Sequence, residues 1–245
     1  MTAATAAARI APVQDLSETE LRARRLAGAH AGASAEDILR AAIKDEFSGR
    51  VALVSSFGAE SAPLLHLVAK IDPETPVIFI ETEKHFAQTL SHRRRLAREL
   101  GLKDVRDIRP DPAAAAARDP DGELWRHDAD ACCTLRKVEP LKKALAGFDA
   151  WITGRKQFHG AGRVNLPAFE ASGEHIKINP LIRWSPDDLA AYAARHELPA
   201  HPLVAQGFPS IGCWPCTHPA AGDDVRAGRW RGAAKTECGI HTQPI

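Results

Sequence analysis

Val51-Ala52-Leu53-Val54-Ser55-Ser56-Phe57-Gly58-Ala59-Glu60-Ser61 is the stretch on which the reading of the fold turns. Its first four residues are a short apolar run of strand type, and the rest is a loop of mostly small and polar residues. Beyond it, Leu64, Leu65, Leu67 and Val68 recur at helical spacing. Strand, small loop and helix in that order present backbone N–H groups at a helix N-terminus to an anion. Val77-Ile78-Phe79-Ile80 repeats the buried-strand pattern and leads through Glu81-Thr82-Glu83-Lys84-His85 into a basic helix around residues 93–100. Further strands are expected at 105–108, 151–153 and 176–178. Strands alternating with helices predict an α/β chain whose doubly wound, mostly parallel sheet is covered on both faces.

Outward from this core, residues 1–48 read as a helical lead-in. Its Ala-rich first fourteen residues look disordered, and Leu21, Leu26, Ile38, Leu39 and Ile43 are the expected inward positions. Residues 49–205 form the expected α/β core, and 206–245 an irregular segment with an extended tail, all within one structural domain. Ser185-Pro186-Asp187-Asp188 supplies an N-cap, a proline at the first helical position and first-turn acids, which predicts a helix to about His196. The alanine run 113–117 is a helical or loop insert with no chemistry of its own.

Of the 245 residues 44% are hydrophobic and 26% charged, the usual globular mix. Lys and Arg number 32 against 31 Asp and Glu, so no global basic field recruits nucleic acid or an anionic membrane. No apolar run approaches the roughly 18–20 residues that span a bilayer, and the N-terminus lacks the apolar centre of an export signal. A cytoplasmic chain is expected, and the sequence leaves open whether it forms a homo-oligomer.

Five cysteines carry the chemistry, and an odd number argues against a complete disulfide framework. Cys132 and Cys133 are adjacent in a helix-like stretch, where they point about 100° apart and do not pair with each other. Cys213-Trp214-Pro215-Cys216 lies in a Pro- and Gly-rich loop. Four thiolates suit tetrahedral zinc or a four-iron four-sulfur cluster, and the contiguous couple favours the larger centre; the plain alternative is two unrelated buried pairs. Lys137, four residues after Cys133, shares its helix face and would steady a negatively charged centre, unless it is an ordinary solvated lysine. Cys238, in Lys235-Thr236-Glu237-Cys238-Gly239-Ile240-His241, follows Arg226, Arg229 and Arg231. Cationic neighbours favour its thiolate. With the other four committed, a covalent intermediate on Cys238 needs an outside thiol for release.

Taken together, residues 55–61, Cys132-Cys133-x-x-Arg136-Lys137, Cys213-x-x-Cys216 and Glu237-Cys238-Gly239-Ile240-His241 resemble the assimilatory sulfonucleotide reductases. Over residues 45–242 the chain is most similar to their cluster-bearing adenylyl-sulfate (APS) reductase branch. The resemblance implies an adenine nucleotide α-hydrolase-like fold with a modified pyrophosphate (PP) loop. It implies one 4Fe-4S cluster per chain, on Cys132, Cys133, Cys213 and Cys216. It further implies that Cys238 attacks the sulfur of APS, expels AMP and becomes an S-sulfocysteine, from which reduced thioredoxin or a similar dithiol protein releases sulfite. Lys137, Arg226 and Arg229 would contact the phosphosulfate; Ser55, Ser56, Phe57, Gly58 and Ser61 would border the nucleotide; Arg163 and His241 would join them.

Two segments depart from the family pattern: Gly154-Arg155-Lys156-Gln157 stands for Gly-Leu-Arg-Arg, and Glu81-Thr82-Glu83 for Asp-Thr-Gly. Three competing readings remain. A phosphoadenylyl-sulfate (PAPS) or dual-specificity reductase shares the fold but typically lacks the cysteine couples. A zinc-containing PP-loop ATP pyrophosphatase would need a small glycine where Phe57 stands. A non-enzymatic iron–sulfur redox sensor leaves Cys238 without a task.

Overall fold

Alternation within very short strands lets one sheet bury both of its faces. The computed structural model describes residues 16–160, 163–222, 224–231, 235 and 237–245. Strands β1 (Val51–Val54), β2 (Val77–Ile80), β3 (Val105–Ile108), β4 (Ala150–Ile152), β5 (Phe169–Ser172) and β6 (His175–Ile178) make a single sheet in the order β3-β2-β1-β4-β6-β5. Every pairing is parallel except that of β5 with β6. Val51, Leu53, Val77, Phe79, Ala150 and Ile152 enter one core, whereas Ala52, Ile78, Ile80 and Trp151 enter the other. That is the period of two expected of strands covered on both sides.

The helices are α1 (Glu18–Ala29), α2 (Ala35–Arg40), α3 (Ala62–Ile71), α4 (Ala87–Glu99) and α5 (Pro112–Arg118). They continue as α6 (Leu124–His127), α7 (Ala129–Cys133), α8 (Glu139–Leu145), α9 (Pro186–Arg195) and α10 (Gly239–Thr242). Leu26, Ile38, Leu65, Leu96 and Leu189 bring α1 to α4 and α9 onto the first face. Leu141 and Leu145 of α8, with Ile245, cover the second. From β1 the chain steps outward to β2 and β3, then returns to lay β4 on the other flank of β1. The order reverses between β1 and β4, so the loops leaving their carboxyl ends diverge and open a crevice.

The doubly wound, mostly parallel α/β sheet is the one expected, and four local expectations are corrected. Leu21 is 43% exposed, because α1 turns Ala23 and Leu26 inward and Leu21 lies on the opposite side. Strand β4 starts a residue earlier than its apolar run suggested. The edge strand β5 was not foreseen; its hairpin to β6 turns at Gly173, whose φ of 61° suits glycine. The tail is not extended throughout: Gly239–Thr242 is one helical turn, and Ile245 is buried on the sheet, its carbonyl oxygen 2.9 Å from His175 Nδ1. The first fourteen residues lie outside the described ones. Helix α9 begins as expected, with Ser185 and Asp188 forming a reciprocal cap around Pro186. Among the described residues no helix is long and apolar enough to cross a membrane.

His92 of α4 and His201 meet edge to face at 4.8 Å in the interior, and His201 shares a 3.0 Å hydrogen bond with Thr89. Burial holds both imidazoles down to about 4, with Arg95 also acting on His92 and His92 on His201. Below the ordinary histidine pKa the unfolded chain therefore binds more protons than the folded one, and stability falls as pH falls from about 6.5 toward 4. Thermal unfolding from about pH 6.5 down to about 4 should show a falling Tm whose slope shrinks, without vanishing, when both residues are replaced by glutamine, since burial lowers His85 and His241 in the same direction. An unchanged slope would remove this pair as a source.

Candidate active site

The loop after β1 is shaped by one residue in an unfavourable conformation. Phe57 has φ 48°, a left-handed geometry that costs a non-glycine residue about 1–3 kcal/mol. Its backbone N–H donates to Ser55 Oγ at 3.2 Å, and its ring drops into the core against Phe79 at 5.6 Å. Burial of the ring offsets the strain. At Gly58 a side chain would meet the Ile211 carbonyl oxygen at 3.0 Å, so glycine lets the segment around Ile211 close over the loop.

Between this loop, the residues following β4, the 209–213 segment and the tail lies a cavity of about 220 Å³. It sits at the carboxyl ends of β1 and β4, where the strand order reverses. Glu60 enters from the loop and pairs with Lys156 Nζ at 2.7 Å and His159 Nε2 at 3.0 Å. Burial pushes the Glu60 carboxyl up, but these two partners prevail and hold it at about 2. Arg155, the residue before Lys156, is buried and brought down to about 10 by burial and by neighbouring Arg163. Its Nε reaches Asn179 Oδ1 at 3.3 Å, and its other partner is Glu170.

The tail closes the cavity. Glu237 accepts from Arg163 Nε at 2.6 Å, lies 3.4 Å from Arg226 Nη2, and accepts the N–H of Cys238 at 2.9 Å. Cys238 is half-buried in the cavity wall. A hydrogen bond from the Cys133 thiol, then the charges of Lys137 and Arg229, hold its thiol well below the ordinary range against the opposing effect of burial. Burial and the cations Lys177 and Arg155 keep His241 neutral, and its ring lies parallel to Trp151 at 6.1 Å.

The other four cysteines gather around a second, smaller cavity, lined also by Trp125, Lys137 and Pro215. Asp128 caps α7, accepting the N–H groups of Asp130 and Ala131, and so aims Cys132 and Cys133. The wide turn Thr134–Val138 that follows carries Arg136 and Lys137. Buried Arg136 grips Asp119 at 2.8 and 3.0 Å, Glu83 at 2.7 Å and the Thr82 carbonyl at 3.1 Å. Glu83, where the family usually has glycine, thus supplies an ion pair. Thr82 Oγ1 lies 3.2 Å from Cys213 Sγ, and the Trp214 N–H donates to the Lys84 carbonyl at 2.8 Å. Trp214 itself is 45% exposed, edge-on to Trp125 at 5.7 Å.

Burial raises the thiol of Cys132 to about 11, and that of Cys216 rises for the same reason, with Cys213 adding to both. Thiolates here therefore call for a cationic partner. Burial pulls Lys137 down, but Cys213, Cys238 and Cys133 together hold it above its ordinary value. Lys137 and Cys213 line both cavities, which makes them the wall between the two. Among the described residues no three His, Cys, Asp or Glu side chains close on a point that one metal ion would occupy. The four thiols around the smaller cavity are an all-sulfur donor set, the chemistry of a four-iron four-sulfur centre or of a tetrahedral zinc ion.

Ser55, Ser56, Gly58, Ser61, Lys137, Arg163, Arg226, Arg229, Cys238 and His241 all line the larger cavity. Phe57 does not line it, since its ring fills the core instead. Arg155 and Lys156, whose segment departs from the family run, line it too. His159 and the ion pairs of Glu60 and Glu237 were not foreseen. The last two stand inside quoted motifs, but nothing in their spacing announces a partner; a lone histidine announces still less.

The family model for the phosphoadenosine phosphosulfate reductase domain matches residues 50–219. A Mesorhizobium japonicum protein named adenosine 5'-phosphosulfate reductase is 51% identical over 206 residues, 84% of this chain and 81% of that one. One of the same name from a Chelativorans species is 46% identical over 228 residues, 91% and 92% of the two chains. Among solved structures, the phosphate complex of phosphoadenylyl-sulfate reductase from Candida auris superposes with a TM-score of 0.68 at 28% identity, covering 82% of this chain and 98% of that one.

Proposed function

The chain belongs to the phosphoadenosine phosphosulfate reductase domain family, and on that premise we propose that it is an APS reductase, which converts APS to sulfite and AMP. The observation that carries this reading is the placing of Cys238, the fifth cysteine, in a cation-lined cavity at the strand-order reversal. There the Cys238 thiolate attacks the sulfur of APS: an S–S bond forms, the S–O bond to phosphate breaks, and the electron pair leaves with AMP. Lys137, Arg226 and Arg229 face the oxygens on which charge develops and stabilise it in place of water. Neutral His241, flat against Trp151, helps form the wall beside the nucleophile.

The product is an S-sulfocysteine. Its release requires a thioredoxin-type dithiol protein, because the remaining four cysteines are the ones assigned to the cluster. One thiolate of the dithiol attacks Cys238 Sγ and sulfite departs with the electron pair. The second thiolate then frees Cys238, and the partner leaves as a disulfide, having supplied two electrons. Cys132, Cys133, Cys213 and Cys216 would hold a four-iron four-sulfur cluster, whose chemistry when bound is electrostatic: a compact charged body facing Lys137 beside the nucleophile. The reaction belongs in the cytoplasm, where such dithiols are kept reduced.

The test is sulfite and AMP release from APS and from PAPS with reduced thioredoxin. Equal yields of the two products are expected, with kcat/KM for APS at least about 100-fold above that for PAPS. A preference for PAPS would overturn the substrate assignment, and pyrophosphate release from ATP would overturn the reaction class.

A further inference from the structure

Among the described residues the larger cavity is lined by six Lys and Arg side chains, Lys137, Arg155, Lys156, Arg163, Arg226 and Arg229, but by only two carboxylates, Glu60 and Glu237. The two carboxylates are carried differently. Glu60 sits on the loop that β1 and α3 fix from either side, and it neutralises Lys156 beside His159. Glu237 sits on the tail, immediately before the nucleophile, and takes Arg163 and Arg226 together. One of its oxygens also accepts the Cys238 N–H at 2.9 Å. A carboxylate gripped by two guanidinium groups uses the same donors that would grip a sulfate or phosphate oxyanion.

From this geometry we propose that Glu237 is an internal occupant of the substrate's anion subsite, and that APS binds by exchanging with it at Arg163 and Arg226. The inference rests on the reading of this cavity as the APS site and adds the competitor that sets its affinity. A site partly filled by its own chain binds ligand more weakly by the fraction of time it is filled. Because the competing carboxylate adjoins Cys238, the exchange also loosens the tail at the moment the nucleophile must align with the sulfur. Nucleotide binding and tail position are then one equilibrium.

The experiment measures APS binding by calorimetry to Cys238→Ser protein, which cannot turn over, with and without Glu237→Gln. Glutamine keeps the shape and removes the competing charge, so APS should bind about five- to tenfold more tightly. In an Arg163→Gln background the gain should largely disappear, whatever that background itself loses; a purely structural role for Glu237 would not depend on Arg163 in this way. In protein that retains Cys238, Glu237→Gln should lower the KM for APS. Unchanged or weaker APS binding by the Glu237→Gln protein, or a gain that persists undiminished without Arg163, would overturn the exchange. If APS binds none of these proteins, the reading of the cavity falls and the exchange falls with it.

Discussion

Cys238→Ser is expected to stop sulfite release, lowering turnover by at least roughly a thousandfold, while leaving a folded, brown protein. The expectation follows from position and chemistry together. Cys238 is half-buried in the wall of the larger cavity and belongs to neither apolar core, so a hydroxyl in its place removes little packing. With Cys133 committed to the cluster and without a proton to donate, the charges of Lys137 and Arg229 remain to keep the Cys238 thiol poised to ionise, whereas a serine hydroxyl stays protonated in the same surroundings. Wild-type protein given APS without a dithiol should accumulate the S-sulfocysteine adduct, seen as added mass on the tail peptide, and the serine protein should not. Retained turnover would end the role assigned to Cys238, and loss of colour would place it among the ligands instead.

Cys213→Ser should have the opposite signature. Cys213 is buried, is 3.2 Å from Thr82 Oγ1, and lines both cavities. Replacing a thiolate by a hydroxyl removes one of four sulfur ligands, and bound iron should fall from about four atoms per chain to less than one. The visible absorption should go with it. Loss of the centre also leaves Lys137 facing fewer negative charges, so activity should fall even though Cys238 is untouched. Iron content unchanged in the Cys213→Ser protein would remove that residue from the ligand set. One equivalent of zinc in the wild-type protein, purified without oxygen, would replace the cluster by a single ion.

The central strands were legible because both faces are covered, and Val51-Ala52-Leu53-Val54 and Val77-Ile78-Phe79-Ile80 are apolar throughout. The edge strand β5 was not, because Phe169-Glu170-Ala171-Ser172 carries a charge whose partners, Arg155, Lys177 and Asn179, are met only in space. Phe57 was read as a nucleotide neighbour on the strength of its motif. A sequence does not reveal that a positive φ turns the ring away from the loop's open side. The cysteines and arginines of the site were recognisable from motifs as a set, whereas their carboxylate partners were not. Ion pairs such as Arg163 with Glu237 and Arg136 with Asp119 join segments far apart in the chain and leave no periodic trace. The buried tail end escaped for a related reason: one isoleucine carries no pattern, and its place on Trp151's side of the sheet is set by tertiary packing alone.

The exposure of Trp214 between Cys213 and Cys216, edge-on to Trp125, gives the chain an intrinsic fluorophore beside these thiols. Iron–sulfur chromophores absorb where indole emits, so a cluster of the kind proposed here should quench these two rings and lower part of the five-tryptophan emission. Loss and reconstitution of such a cluster should then be readable as recovery and quenching of that emission, without a label and at protein concentrations too dilute for colour.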